Sequence, residues 1–176
     1  GALRRTMTKE EFKGKKEQTL LVPTLGKLRA DKLLLVGLGD KGDLSHGDVR
    51  TFAAKAARCA LGEKAKTLVL ALPEGVESHL RCVAEGLELG AYRFSKYFTG
   101  DRAPKASLGA VLVAVANVPE DAADHVKKGQ AIAEGVNLAR DLSNEPSNAM
   151  TPAMLAEAAV KVGKDKGVKV TVFDYK

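Results

Sequence analysis

The sequence predicts an α/β fold: a mixed, largely parallel sheet flanked by helices. Two features carry that expectation. Short apolar runs alternate with longer segments whose apolar residues recur at helical spacing. Several of the runs, such as LLLVGLG (33–39) and LGAVLVAVA (108–116), are continuous rather than alternating, as strands covered on both faces are.

The elements follow in order. QTLLVP (18–23) reads as a strand with a turn around Gly26, and LLLVGLG as the next strand. Val49, Phe52, Ala53, Ala56 and Ala60 mark an amphipathic helix to about Leu61. Ser45 and Asp48 stand at capping-box spacing before it, with Asp in place of Glu. TLVLALP (67–73) is a further apolar strand. Val76, Leu80, Val83, Ala84, Leu87, Ala91 and Phe94 then form one helical face, and Gly86 and Gly90 inside it suggest close approach by another element. After the strand at 108–116, a long helical segment runs from Pro119 to about Leu142. A short helix around Leu155–Val162 and a closing strand VKVTVF (168–173) complete the expected order.

Composition narrows the function classes. The chain has 176 residues, 45% hydrophobic and 28% charged, as in an ordinary globular protein, and no apolar run of membrane-spanning length. No signal-peptide pattern opens it, and it begins with Gly-Ala rather than Met. Cys59 and Cys82 are far apart, each in a helical segment, which reads as buried reduced thiols in a cytoplasmic protein. Together with three histidines they offer no zinc spacing. Much of the net charge of +6 lies in Arg4, Arg5, Lys9, Lys13, Lys15 and Lys16. That run could meet phosphates, but no aromatic residues interleave it for base stacking, and a solvated face explains it as well.

Candidate chemistry is thin. Gly37-Leu38-Gly39-Asp40-Lys41-Gly42 has G-x-G-x-x-G spacing after a strand, but breakers follow, and Glu74 comes too late for the acidic partner of a dinucleotide site. A tight strand exit is the simpler role. Ser45, His46 and Asp48 are too close in sequence to converge as a triad, and serve better as a helix start and loop surface. His79 and His125 read as solvated or locally bonded, and Glu85 and Glu88 as facing water, opposite the apolar stripe. The residues by themselves offer no catalytic, cofactor-binding or metal-binding constellation.

The densest turn chemistry is ARDLSNEPSNAMTP (139–152). Asn144 suits a left-handed helix end, Pro146 forbids continuation, and Thr151-Pro152 places an N-cap and an N1 proline. This joint, with LLLVGLGD (33–40) and EGLELGAYRFSKY (85–97), resembles the cytosolic leucyl aminopeptidases, the M17 two-metal exopeptidases. The most specific part is Arg140-Asp141-Leu142-x-Asn144-x-Pro146-x-Asn148-x-x-Thr151-Pro152.

The resemblance implies a macrodomain-like N-terminal domain over 1–118, short of its first strand, a connecting helix over 119–143, and the start of a catalytic domain over 144–176. It implies for the parent protein two divalent ions, zinc or manganese, that activate water against an N-terminal peptide bond. It also implies peptide substrates, a hexameric homo-oligomer and a cytoplasmic location. The family's metal ligands lie in motifs beyond Lys176, so no catalytic or metal residue is expected in this chain, which reads as a fragment. Two alternatives stay open: DNA binding through the basic N-terminal stretch, as in some bacterial members, and a small-ligand site near residues 37–42.

Overall fold

The structure is a computed structural model that describes residues 1–40, 42 and 44–173. Its elements are α1 (Ala2–Lys9), β1 (Thr19–Pro23), β2 (Lys32–Val36), α2 (His46–Gly62), β3 (Thr67–Ala71), α3 (Leu80–Ala91), β4 (Ala110–Ala114), α4 (Ala122–Asn144) and α5 (Pro152–Lys166). Backbone contacts divide the chain into two units, Gly1–Val136 and Asn137–Lys176.

The mixed α/β class is what the sequence predicts. In the first unit the strands form two ladders of two strands each. β1 and β2 pair antiparallel, with Leu21 opposite Leu34, and β3 and β4 pair parallel, with Leu70 opposite Val113. The run at 33–36 is half-buried rather than sealed on both faces, because a two-stranded hairpin leaves its outer face to water. The loop between β1 and β2 is closed by Thr24, whose hydroxyl lies 2.6 Å from the Ala30 carbonyl oxygen and 3.0 Å from that of Asp31.

The core is built around α2 and α3. Val49, Phe52, Ala53 and Ala56 of α2 pack with Leu80, Cys82 and Val83 of α3 and with Leu70 and Leu72. Burying a Val, Leu or Phe side chain contributes roughly 1.5–3 kcal/mol. The ladder faces are unequal. Leu70 is buried, while Val69 and its register neighbour Leu112 are 61% and 56% exposed on the other face.

The helices approach through glycines. A Cβ on Gly86 would stand 2.2 Å from the Arg50 carbonyl oxygen, and one on Gly90 2.4 Å from that of Ala54, so α2 meets α3 backbone to backbone. Gly129 of α4 would likewise collide with the Arg81 carbonyl oxygen at 2.4 Å. The two glycines that weaken α3 by propensity are therefore what lets α2 lie against it.

Three local features depart from expectation. Residues 2–9, to which the sequence assigned no element, form a helix, since Ala, Leu, Arg, Met and Lys are all good helix formers, and α1 buries none of its residues, as a solvated face does. Asn144 ends α4 without a left-handed backbone, being absent from the positive-φ residues. Pro146 follows two residues later, and its carbonyl oxygen accepts from the amides of Ala149 and Met150 at 2.8 and 2.9 Å. Residues 168–173 are not a strand, because no described segment pairs with them. Instead they turn back in the second unit so that Val168 N donates to Gly163 O at 2.8 Å.

Elsewhere in that unit the helix signals act as read. Thr151 caps α5 by accepting from Met154 N and Pro152 stands at its start; the helix then closes at Gly167 with φ +72, a stop not singled out in the sequence.

Candidate functional site

The residues weighed for chemistry fall in separate places. The Gly37–Gly39 segment is a strand exit wedged against the loop before β1. Gly39 N donates to Gly14 O at 2.9 Å, and Gly37 N to Gln18 O at 2.7 Å. A Cβ on Gly37 would lie 2.0 Å from Lys15 O, and Gly39 has φ +80, so both glycines answer to close approach and turn geometry. α2 begins at His46, so its amide N-terminus does not open within residues 37–42. Lys41 and Asp43 lie outside the described residues.

Ser45 and Asp48 form a reciprocal capping box. Asp48 N donates to Ser45 Oγ at 3.2 Å, and Ser45 N donates to Asp48 Oδ2 at 2.9 Å. Lys16 Nζ reaches the same carboxylate oxygen at 3.1 Å. The backbone bond from Ser45 leads the causes that lower the Asp48 pKa to about 2, followed by the Ser45 hydroxyl and Lys16. His46 is committed to the first turn of α2, where its ring meets that of His79 with centroids 4.9 Å apart. His125 Nε2 lies 3.1 Å from Oδ2 of Asp121, the residue just before α4, as locally bonded histidines do.

Glu85 overturns the expectation that it faces water: it is 3% exposed. Arg50 Nε donates to its Oε2 at 2.6 Å, and Arg81 Nε lies 3.4 Å from its Oε1. The helical wheel placed Glu85 off the apolar stripe of α3, which is correct. The side that wheel assigned to water is covered, because α2 and α4 both lean on α3 through glycine contacts. Gly129 beside Arg81 and Gly86 beside Arg50 are the signals that could have revealed it.

A recess of about 920 Å³ opens between β4 and the helices α2, α3 and α4. Leu80, Val83, Leu87, Val111, Val113 and Val126 line it with apolar surface. Arg58, Lys64, Arg93 and Lys105 also line it, with Glu88 as the one carboxylate. Among the described residues, no three His, Cys, Asp or Glu side chains converge as a metal site requires. The two-metal centre implied by the family resemblance finds no such donor set among the described residues.

Residues 1–101 match the cytosol aminopeptidase family, N-terminal domain. A probable cytosol aminopeptidase of Alkaliphilus oremlandii (strain OhILAs) is 33% identical over 183 residues, covering 99% of this chain and 36% of that protein. The chain thus spans about a third of the relative's length. The solved bottromycin maturation enzyme BotP in complex with Mn superposes with a TM-score of 0.75 at 30% identity, over 92% of this chain and 33% of that one. A tomato leucine aminopeptidase mutant reaches a TM-score of 0.82 at 24% identity, over 95% of this chain and 33% of its own, a likeness of fold. An N-terminal α/β domain is the class that the fold and these likenesses define. The chain belongs to the cytosol aminopeptidase family, whose N-terminal domain its first 101 residues match.

Proposed function

We propose that this chain is the non-catalytic N-terminal portion of a metal-dependent leucyl aminopeptidase. The full-length parent then removes N-terminal residues, leucine preferred, from peptides by two-metal hydrolysis in the cytoplasm, as a hexamer. In this reading residues 1–118 form the accessory domain, 119–143 the connecting helix and 144–176 the start of the catalytic domain. No catalytic, cofactor or metal residue is assigned within the chain. The match of residues 1–101 to the family's N-terminal domain carries the proposal. The manganese in the BotP structure supports divalent ions as the parent's cofactors.

The test is turnover of leucine 4-nitroanilide by the 176-residue chain with added manganese or zinc. No release above the blank is expected. Turnover that scales with the chain's concentration and disappears with a chelator would overturn the proposal. No specific observation favours DNA binding: of the basic N-terminal residues, Lys16 is engaged with Asp48.

A further inference from the structure

The recess between β4 and the helices has an apolar floor and a cationic rim. Val83 and Leu80 are nearly sealed at its base, at 1% and 5% exposed, whereas Val111 on β4 is 38% exposed to the opening. On the rim Arg58, Lys64, Arg93 and Lys105 are exposed, against Glu88. Lys105 Nζ already bonds Asp101 Oδ1 at 2.9 Å, so four cations and two anions leave a rim charge of +2 at a single opening.

Part of that charge is held in place. Arg58 Nε donates to Ala54 O at 3.3 Å, and the Arg93 guanidinium lies 5.4 Å from the centre of the Phe98 ring. Cations already oriented lose less freedom when a partner arrives. Lys64 and Arg93 stand two residues beyond α2 and α3, where their charge also offsets the helix carbonyl ends. Arg58 and Lys105 occupy no such position.

The shape selects the occupant. The volume sits near the top of the range for small-molecule sites, about 300–1,000 Å³, but such sites bury most of their ligand. This recess is open along one side, so its occupant needs an apolar inner face, anionic flanks and a polar back. An amphipathic helix has that division, with anchors at i, i+3, i+4 and i+7. We propose that the recess is a docking site for an acidic amphipathic helix of a partner protein. The apolar stripe meets Leu87, Val111 and Val126, and flanking Asp and Glu side chains meet Arg58, Lys64, Arg93 and Lys105.

The probe is a fluorescein-labelled synthetic helix of about 15 residues, some four turns, with Leu at the anchor positions and Glu on both flanks. Fluorescence anisotropy is read with the 176-residue chain at fixed ionic strength. Saturable binding is expected. Arg58→Glu with Lys105→Glu should weaken it about tenfold or more, as reversing charges opposite a complementary partner does. Val111→Asp, at an exposed strand position, should weaken it comparably while circular dichroism reports an unchanged fold. A version of the peptide with a central proline should bind far less. The proposal is overturned by no binding, by binding that ignores these variants, or by equal binding of the proline or a scrambled peptide. It is equally overturned if a short DNA duplex binds with the same dependence on Arg58 and Lys105 and the peptide does not.

Discussion

Glu85 on α3 accepts from Arg50 Nε on α2 at 2.6 Å, directly beside the point where Gly86 admits the Arg50 backbone. A buried carboxylate is tolerable only with such a partner, because removing its counter-charge leaves desolvation uncompensated. Arg81 is the second partner, at 3.4 Å and nearly half exposed. Arg50→Met should therefore lower the urea midpoint more than Arg81→Met. A loss of about 1.5–3 kcal/mol is expected for the shorter bond, the scale of a hydrogen bond to a charged group. Equal midpoints for the two variants would mean that Arg50 does not dominate the pair.

Glycines in these helices should divide into two kinds. Gly86→Ala drives a methyl group toward the Arg50 carbonyl oxygen and should destabilise by about 1–3 kcal/mol. Gly135, inside α4, has nothing within 4 Å of its would-be Cβ. Gly135→Ala should stabilise by about 1 kcal/mol through helix propensity alone. Thermal unfolding of both variants checks the contrast in sign.

Asp48 supplies the pH dependence. Its folded pKa of about 2 lies below the ordinary 3.8, so the folded state favours the ionised carboxyl. The stability this contributes is complete above pH 3.8 and is lost as pH falls through about 2. Asp48→Asn should thus be less stable than the native chain at neutral pH, with the gap closing across that acid window. A carboxyl carbon titration of Asp48 with its midpoint at 3.8 rather than near 2 would remove the basis for it.

The two thiols should react at different rates. Cys82 is 1% exposed in the core, whereas Cys59 is partly exposed. Ellman's reagent should modify Cys59 promptly and Cys82 only as fast as the core opens. Simultaneous reaction of both in native buffer would contradict the packing of α3.

Much of the fold was legible because its signals are local. Ser45 and Asp48, Thr151 and Pro152, and the apolar stripe of α2 act within one or two turns of the backbone, and each does in the structure what its spacing implies. The burial of Glu85 was not legible, since it depends on two neighbouring helices rather than on α3. The segment 168–173 shows the same limit from the other side. Alternating Val, Thr and Phe favour an extended chain, but strand pairing needs a partner elsewhere, and none of the described segments supplies it. As for the recess, its apolar lining reads as ordinary core stripe in sequence, and its rim residues come from three separate stretches. Only the tertiary arrangement gathers them.

The glycine contacts have a mechanical consequence. Where leucines interlock, a rotamer change lets two helices slide a little and settle again. At Gly86, Gly90 and Gly129 the opposing surfaces are backbone atoms and the β-carbons of Ala53 and Ala84, which have no rotamers to change. The spacing of α2, α3 and α4 at these points is therefore set by backbone van der Waals contact, like the pitch of a gear. A push on one helix passes to the next without slack, or the layer comes apart as a whole.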